Sequence, residues 1–262
     1  MIKDYTFTSP KNYLAYVERT NEKLLLQEEL LRAFNNNELP IKKGDTGKKI
    51  LDLGCGLGTH TNFLSKMFPD NKIIAIDISK DYIDLLIPKM KTIYNVELYK
   101  IAFEDYIGTT FDFILASHVL QYIQTPFIEF TNKIIQTLKS QGELWIVLQE
   151  KRGLNQIIVQ SKEILNTQSS FFKNWFTHEE VRVALDHLNV TLRYKTLHSR
   201  FRAINYITPT ADDINFLNFV LLNDLTDYSK HDLLKIIELQ KPLIHNDMIY
   251  HDVGISKVRR MS

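Results

Sequence analysis

The stretch Ile50-Leu51-Asp52-Leu53-Gly54-Cys55-Gly56-Leu57-Gly58-Thr59 decides how the rest of this chain is read. An apolar run with the character of a buried strand meets three alternating glycines, and a segment with helical spacing, Thr59–Met67, follows. Glycine at such a turn admits positive φ and lets a ligand lie close against the backbone. A dinucleotide site asks for G-x-G-x-x-G, which seats pyrophosphate on the helix N-terminus. Here Thr59 stands where that pattern wants its third glycine, and the chain reads G-x-G-x-G. No G-x-x-x-x-G-K-[ST] run occurs either. The spacing favours a nucleoside ligand without a phosphate.

Outward from this loop, short apolar runs alternate with helical segments. Strands are expected at Lys49–Leu53, Lys72–Ile76, Val96–Ile101, Phe111–Ala116 and Glu143–Leu148. Helices are expected at Thr59–Met67, from Ser79 to about Ile87, where Pro88 ends or kinks the element, and at Phe127–Leu138, closed by Ser140-Gln141-Gly142. This alternation predicts an α/β fold with a doubly wound, mostly parallel sheet. Upstream, residues 11–36 read as one helix, ended by Asn35-Asn36-Asn37 and Pro40. Downstream, residues 156–165 read as helix, and Thr177-His178-Glu179-Glu180 fits a capping box for a helix ending near His187. Val190–Leu197 and Met248–Val258 read as two further strands, with helical stretches 211–223 and 229–238 between them. With no repeat, low-complexity tract or Pro/Gly/Ser linker, one domain over 1–262 is expected. It divides into a helical cap (1–45), a cofactor-binding core (46–150) and C-terminal additions on the substrate side (151–262).

Composition narrows the function class. Of 262 residues, 44% are hydrophobic and 24% charged, and the formal charge is +1, which leaves no strong field to attract nucleic acid. Cys55 is the single cysteine, excluding an intrachain disulfide and a cysteine-built zinc site; no metal is called for. No apolar run approaches the roughly 18 residues of a membrane helix, and Met1–Phe7 carries no secretory-signal stretch. The expectation is a cytoplasmic protein with no membrane or nucleic-acid partner; the oligomeric state stays open, a monomer among the options.

Asp77 ends the second strand, Ile73-Ile74-Ala75-Ile76-Asp77, where a carboxylate can accept both hydroxyls of a ribose. Loop, acid and five-strand rhythm together resemble the class I S-adenosylmethionine-dependent methyltransferases over about residues 46–150. That resemblance implies a Rossmann-like methyltransferase fold with S-adenosyl-L-methionine as cofactor. It implies that Asp52, Gly54, Gly56 and Gly58 wrap the methionine part, while Asp77, beside Ile78, holds the ribose. The family often sets an aspartate against the adenine amine at the place of Ala102; here the Phe103 backbone would contact the ring instead. Ser117 and His118 fall at the carboxyl end of the fourth strand, where ligands of such sheets bind.

Each singled-out residue also has a plainer reading. Cys55 reads as a small space-filler, His60 as a surface residue opening a helix, and Asp52 as a pin for the loop as well as a cofactor ligand. Lys42, Lys43, Lys48 and Lys49 read as a solvated edge. The 15 Phe, 12 Tyr and 2 Trp are mostly core, though some can line a pocket that accepts a cation. His118 either touches substrate or sulfonium or makes a structural hydrogen bond, and Tyr122 shares its face if the loop turns helical. Glu22 either points inward from a helix covering the site or lies on the surface.

Outside the core, the helix from Tyr13 to Leu31, the run Ser117–Leu138 and the C-terminal part are similar to the histamine N-methyltransferases. That resemblance implies a glutamate on the first helix for the substrate amine, at Glu22. It also implies two pocket residues after the fourth strand, at His118 and Tyr122, and a contact near the last strand, at His251. The expected reaction is methyl transfer to a small-molecule acceptor, first an amine nitrogen. His118 is cast as the catalytic base, and Glu22 as a binder, since a nearby carboxylate raises an amine's pKa. The rivals are O-methylation of a small carboxylate or phenol, for which Arg200 and Arg202 are the candidate anion contacts, and a non-catalytic S-adenosylmethionine-binding protein.

Overall fold

Ile50, Leu51, Ile73, Ile74, Ile114 and Ile146 are all but inaccessible to solvent, the mark of strands covered on both faces. In the computed structural model, which describes residues 9–106, 109–123, 125–165, 177–205, 208–221, 225 and 228–260, they form the centre of one sheet. Its strands are β1 (Lys49–Leu53), β2 (Lys72–Asp77), β3 (Val96–Lys100), β4 (Phe111–Ser117), β5 (Leu138–Gln149), β6 (Val190–Arg202), β7 (Ile244–His245) and β8 (Met248–Arg260). Their order is β3-β2-β1-β4-β5-β8-β6, with β7 pairing β8 beside this path. The first five are parallel, and β8 runs antiparallel to both β5 and β6. The doubly wound, mostly parallel sheet is the one the alternation predicts.

Nine helices among the described residues surround it: α1 (Pro10–Arg19), α2 (Glu22–Asn35), α3 (Thr59–Met67), α4 (Lys80–Met90), α5 (Phe127–Gln136), α6 (Leu154–Leu165), α7 (His178–Leu185), α8 (Ala211–Val220) and α9 (Lys230–Glu238). One sheet face, with Leu51, Ile74 and Ile114, packs on Phe130 and Ile134 of α5 and Val181 and Leu185 of α7. The other, with Ile50, Phe113 and Trp145, packs on Leu26 and Leu30 of α2 and Leu64 of α3. A third cluster joins α1, α6, α8 and α9 through Tyr16, Ile157, Phe216 and Ile236, over Phe201 and Ile249. Buried Glu29 accepts a hydrogen bond from Lys257 Nζ at 2.7 Å, tying α2 to β8.

The structure corrects four expectations. The single helix over 11–36 is two, because Thr20 turns extended and bridges Phe201 of β6. Asn21 completes the break: its N–H donates to Arg200 O at 3.3 Å, and its Oδ1 accepts from Arg200 N and Ser199 Oγ, both at 2.9 Å. Helix α4 runs through Pro88 to Met90, since proline in a last turn forfeits one backbone bond without ending the element. Ser140-Gln141-Gly142 lies inside β5, in a register irregularity between Phe111 and Phe113 of β4. Finally, His60 is 4% exposed: helix α3 turns its ring inward. The opening residues Met1–Phe7 and positions 222–223 of the expected helix 211–223 lie outside the described residues. Among those described, no helix is long and apolar enough to cross a membrane.

Candidate functional site

Strand order reverses between β1 and β4, so the helices that follow these two strands leave on opposite sides and open a crevice at their carboxyl ends. A cavity of about 600 Å³ lies there, reached by the ends of β1, β2, β4 and β5 and by α1. Gly54 has φ +72°, and a Cβ on it would come within 2.5 Å of the Val119 side chain. Gly56 has φ +53°, and its N–H donates to Asp77 Oδ2 at 2.8 Å. The Ser79 N–H donates to Asp77 Oδ1 at 2.9 Å, so both carboxylate oxygens are aimed by backbone. Burial pushes the Asp77 carboxyl up from its ordinary value.

The cavity wall carries Gly54, Gly56, Asp77, Ile78, Ala102, Phe103, Ser117, His118 and Tyr122 among the residues expected there. Four of the expected residues stand back from it. Gly58 packs against Leu86 of α4. Asp52 accepts the Thr61 hydroxyl at 2.6 Å behind the loop, where burial raises its pKa to about 6; it latches β1 to α3. Glu22 and His251 lie beneath the wall. Cys55 is buried against Ile83 and Leu86, its thiol pushed up by burial, as a space-filler should be.

The residues present fit S-adenosylmethionine. Asp77 retains unused lone pairs for ribose hydroxyls, Ser117 Oγ is buried without a partner on the wall, and Lys23 places a cation there for an α-carboxylate. Ile78, Ala102 and Phe103 supply apolar surface suited to an adenine ring.

Beneath the cavity wall at His118 is a buried polar cluster. Glu22, 3% exposed, holds His251 Nε2 at 2.6 Å and His118 Nε2 at 3.3 Å, and accepts the Tyr16 hydroxyl. Burial works to raise the Glu22 carboxyl, but the two imidazoles override it and hold the group well below the usual carboxylate range. Tyr16 Oη in turn accepts from Gln149 Nε2 at 3.2 Å. His118 sits at φ +53°, a left-handed conformation for a residue with a Cβ, and its N–H donates to Val147 O at 2.9 Å. Thus Glu22, His118 and His251 meet although residues 22 and 251 are far apart in the chain.

Sequence reasoning missed part of this site. Tyr13 and Tyr16 read as apolar positions of a helix, and Gln149 lies just past the strand expected to end at Leu148. Tyr82, Gln121 and Phe219 also line the cavity, and no local signal marks them. Arg200 and Arg202 are exposed on β6 and absent from the wall.

Residues 50–142 match the family described as Methyltransferase domain. A curated protein of Methanocaldococcus jannaschii, named only as uncharacterized, is 26% identical over 182 residues, 68% of this chain and 49% of that one; the chain therefore spans about half the length of this relative. A malonyl-[acyl-carrier protein] O-methyltransferase of Halalkalibacterium halodurans is 31% identical over 105 residues, 38% of either chain. Among solved structures, the plantazolicin methyltransferase BpumL, in complex with a pentazolic desmethyl analog and S-adenosylhomocysteine, superposes with a TM-score of 0.54 at 15% identity, covering 91% of this chain and 85% of that one. Over residues 50–142 the chain thus matches a methyltransferase domain family, and its sheet shares the Rossmann-like fold of solved methyltransferases.

Proposed function

We propose that the protein methylates the nitrogen of a small amine. The observation that carries this reading is His118, on the wall of a cavity that also carries several aromatic rings, with Nε2 engaged by an ionised, buried Glu22. Bound S-adenosylmethionine supplies an electrophilic methyl carbon, so the chain's own task is to hold a nucleophile in line with it. Such positioning is worth roughly 7–11 kcal/mol. An amine must shed a proton to attack. With Nε2–H donated to Glu22, the lone pair of His118 lies on Nδ1, the atom that would take this proton. Glu22 then offsets the charge of the imidazolium, and His251 and Tyr16 fix the carboxylate from its other sides.

The narrower likeness to histamine N-methyltransferases draws support from Glu22, His118 and His251 sharing one cluster, with Tyr122 on the adjacent wall. Relatives named as malonyl-[acyl-carrier protein] O-methyltransferases make O-methylation the second reading. Against it, Lys23 is the one lysine or arginine on the wall among the described residues, and Arg200 and Arg202 face elsewhere.

The test is methyl transfer from labelled S-adenosylmethionine to matched amines, carboxylates and phenols, with His118→Asn alongside. Asparagine tolerates the left-handed backbone there, so loss of the ring is separated from loss of the loop. Turnover on an amine, slowed about 100-fold or more in the variant, is expected for a lost general base. Turnover confined to carboxylates or phenols overturns the amine reading. Cofactor binding with no turnover on any class would make the protein a non-catalytic binder.

A further inference from the structure

The hydrogen-bond wiring beneath the cavity leaves one atom with a defined polarity and nothing to use it on. Glu22 is an ionised carboxylate and only accepts, so the single proton of Tyr16 Oη points to it. Towards Gln149 the same hydroxyl can then only accept, and the amide must present Nε2 to it, at 3.2 Å. The amide cannot be flipped without setting carbonyl against hydroxyl lone pairs. Oε1 of Gln149 is consequently the free end, and it is buried without a partner. A second buried carbonyl also lacks a partner, on an amide whose N–H donates to the Tyr122 hydroxyl. Gln121, in the short 3-10 turn Leu120–Tyr122 after β4, is 6% exposed, and its Oε1 is likewise unpartnered. Both residues line the cavity.

Two buried carbonyls that lack donors are costly unless a ligand brings N–H groups to them. The same cavity wall carries the rings of Tyr13, Tyr82 and Phe219, which suit a cation. We propose that Gln149 Oε1 and Gln121 Oε1 are the specificity-determining acceptors of this site, receiving N–H groups of a primary or secondary ammonium. A carboxylate has no donor to offer them, and a phenol or alcohol has one. The inference builds on the N-methylation reading and names the residues that select its substrate class.

Calorimetric titration of the full chain, saturated with S-adenosylhomocysteine, tests it with three probes of one shape: 2-phenylethylamine, 2-phenylethanol and 3-phenylpropanoate. The amine should bind tightest and the carboxylate weakest. Gln149→Met and Gln121→Met should each weaken the amine by about 10- to 100-fold and move the alcohol by less than about threefold. Gln121→Met leaves the Tyr16 wiring intact, so it decides the matter if Gln149→Met fails to fold, as judged by loss of S-adenosylhomocysteine binding. Unchanged amine affinity in both variants, tightest binding of the carboxylate, or no binding of the amine overturns the proposal. Methyl transfer assayed in parallel separates the two readings. Amine binding that depends on the glutamines without any amine turnover would sink N-methylation and leave the selector; amine turnover indifferent to both glutamines would do the reverse.

Discussion

Asp77 shows how one carboxylate is readied before a ligand arrives. Two backbone N–H groups orient it, and burial leaves its charge poorly solvated, so a ribose offering two hydroxyls would replace missing water. Asp77→Asn keeps the shape and removes the charge; calorimetry should find S-adenosylmethionine bound about tenfold or more weakly. Glu22 is the structural opposite, a buried anion satisfied by its own chain. Glu22→Gln strands two imidazoles and a tyrosine hydroxyl around a neutral amide, and urea unfolding should show a loss on the order of 3 kcal/mol. The two residues also differ in how they could be read. Asp77 was legible because a strand end after a glycine loop is a local pattern. Helical spacing left Glu22 between an inward and a surface reading, and only a family likeness favoured the first, since its partners come from the turn after β4, from β8 and from α1. Gln149 escaped notice because the expected strand stopped one residue short of it.

Elements were legible where side-chain period alone decides them. Strand β1 and helix α3 have the bounds expected of them, because an apolar run, a glycine turn and a helical stripe are all local. The break between α1 and α2 was not, since neither Thr20 nor Asn21 is a helix-breaker of the glycine or proline kind. Pairing with β6 imposes the break, and Asn21 supplies bonds that the helix gives up. Asn21→Ala removes both acceptor contacts of Oδ1 and should cost about 1–2 kcal/mol, measurable by denaturant unfolding; no change would place the break in the backbone pairing alone. Gly254 carries another element-scale demand. A Cβ there would fall on the His178 ring, whose Nε2 lies 2.9 Å from Ser256 Oγ. Gly254→Ala therefore forces α7 away from β8 and should cost about 1–3 kcal/mol; a melting temperature equal to wild type would contradict this packing.

Across the whole molecule, buried titratable groups set how stability follows pH. Burial lowers His178 from 6.5 to about 4 and lowers His60 well below its ordinary value. Between these values and 6.5 the unfolded chain binds the protons, so stability falls as pH drops through that window. Asp52 acts in the other sense: raised to about 6, it takes up a proton in the folded state first and gains stability below that pH. Two deeply buried histidines outweigh the carboxyls that burial raises, Asp52, Asp77 and Glu150, and urea unfolding should show a net loss of stability between pH 7 and pH 5. Equal or greater stability at pH 5 would contradict the burial of those imidazoles.

The tie between Asn21 and β6 has a consequence for how the molecule is made. β6 is held in the sheet by β8, which ends at Arg260, and only a completed β6 gives Asn21 its partners. On a ribosome, α2 can seat on β1, α3 and β4 early, but its junction with α1 gains the Asn21 bonds only after β6 has followed. Tyr16 and Glu22 ride on those two helices. The turn that sets Tyr16 and Glu22 beside the cavity is therefore fixed late, and a nascent chain can shape its glycine loop long before that corner is complete.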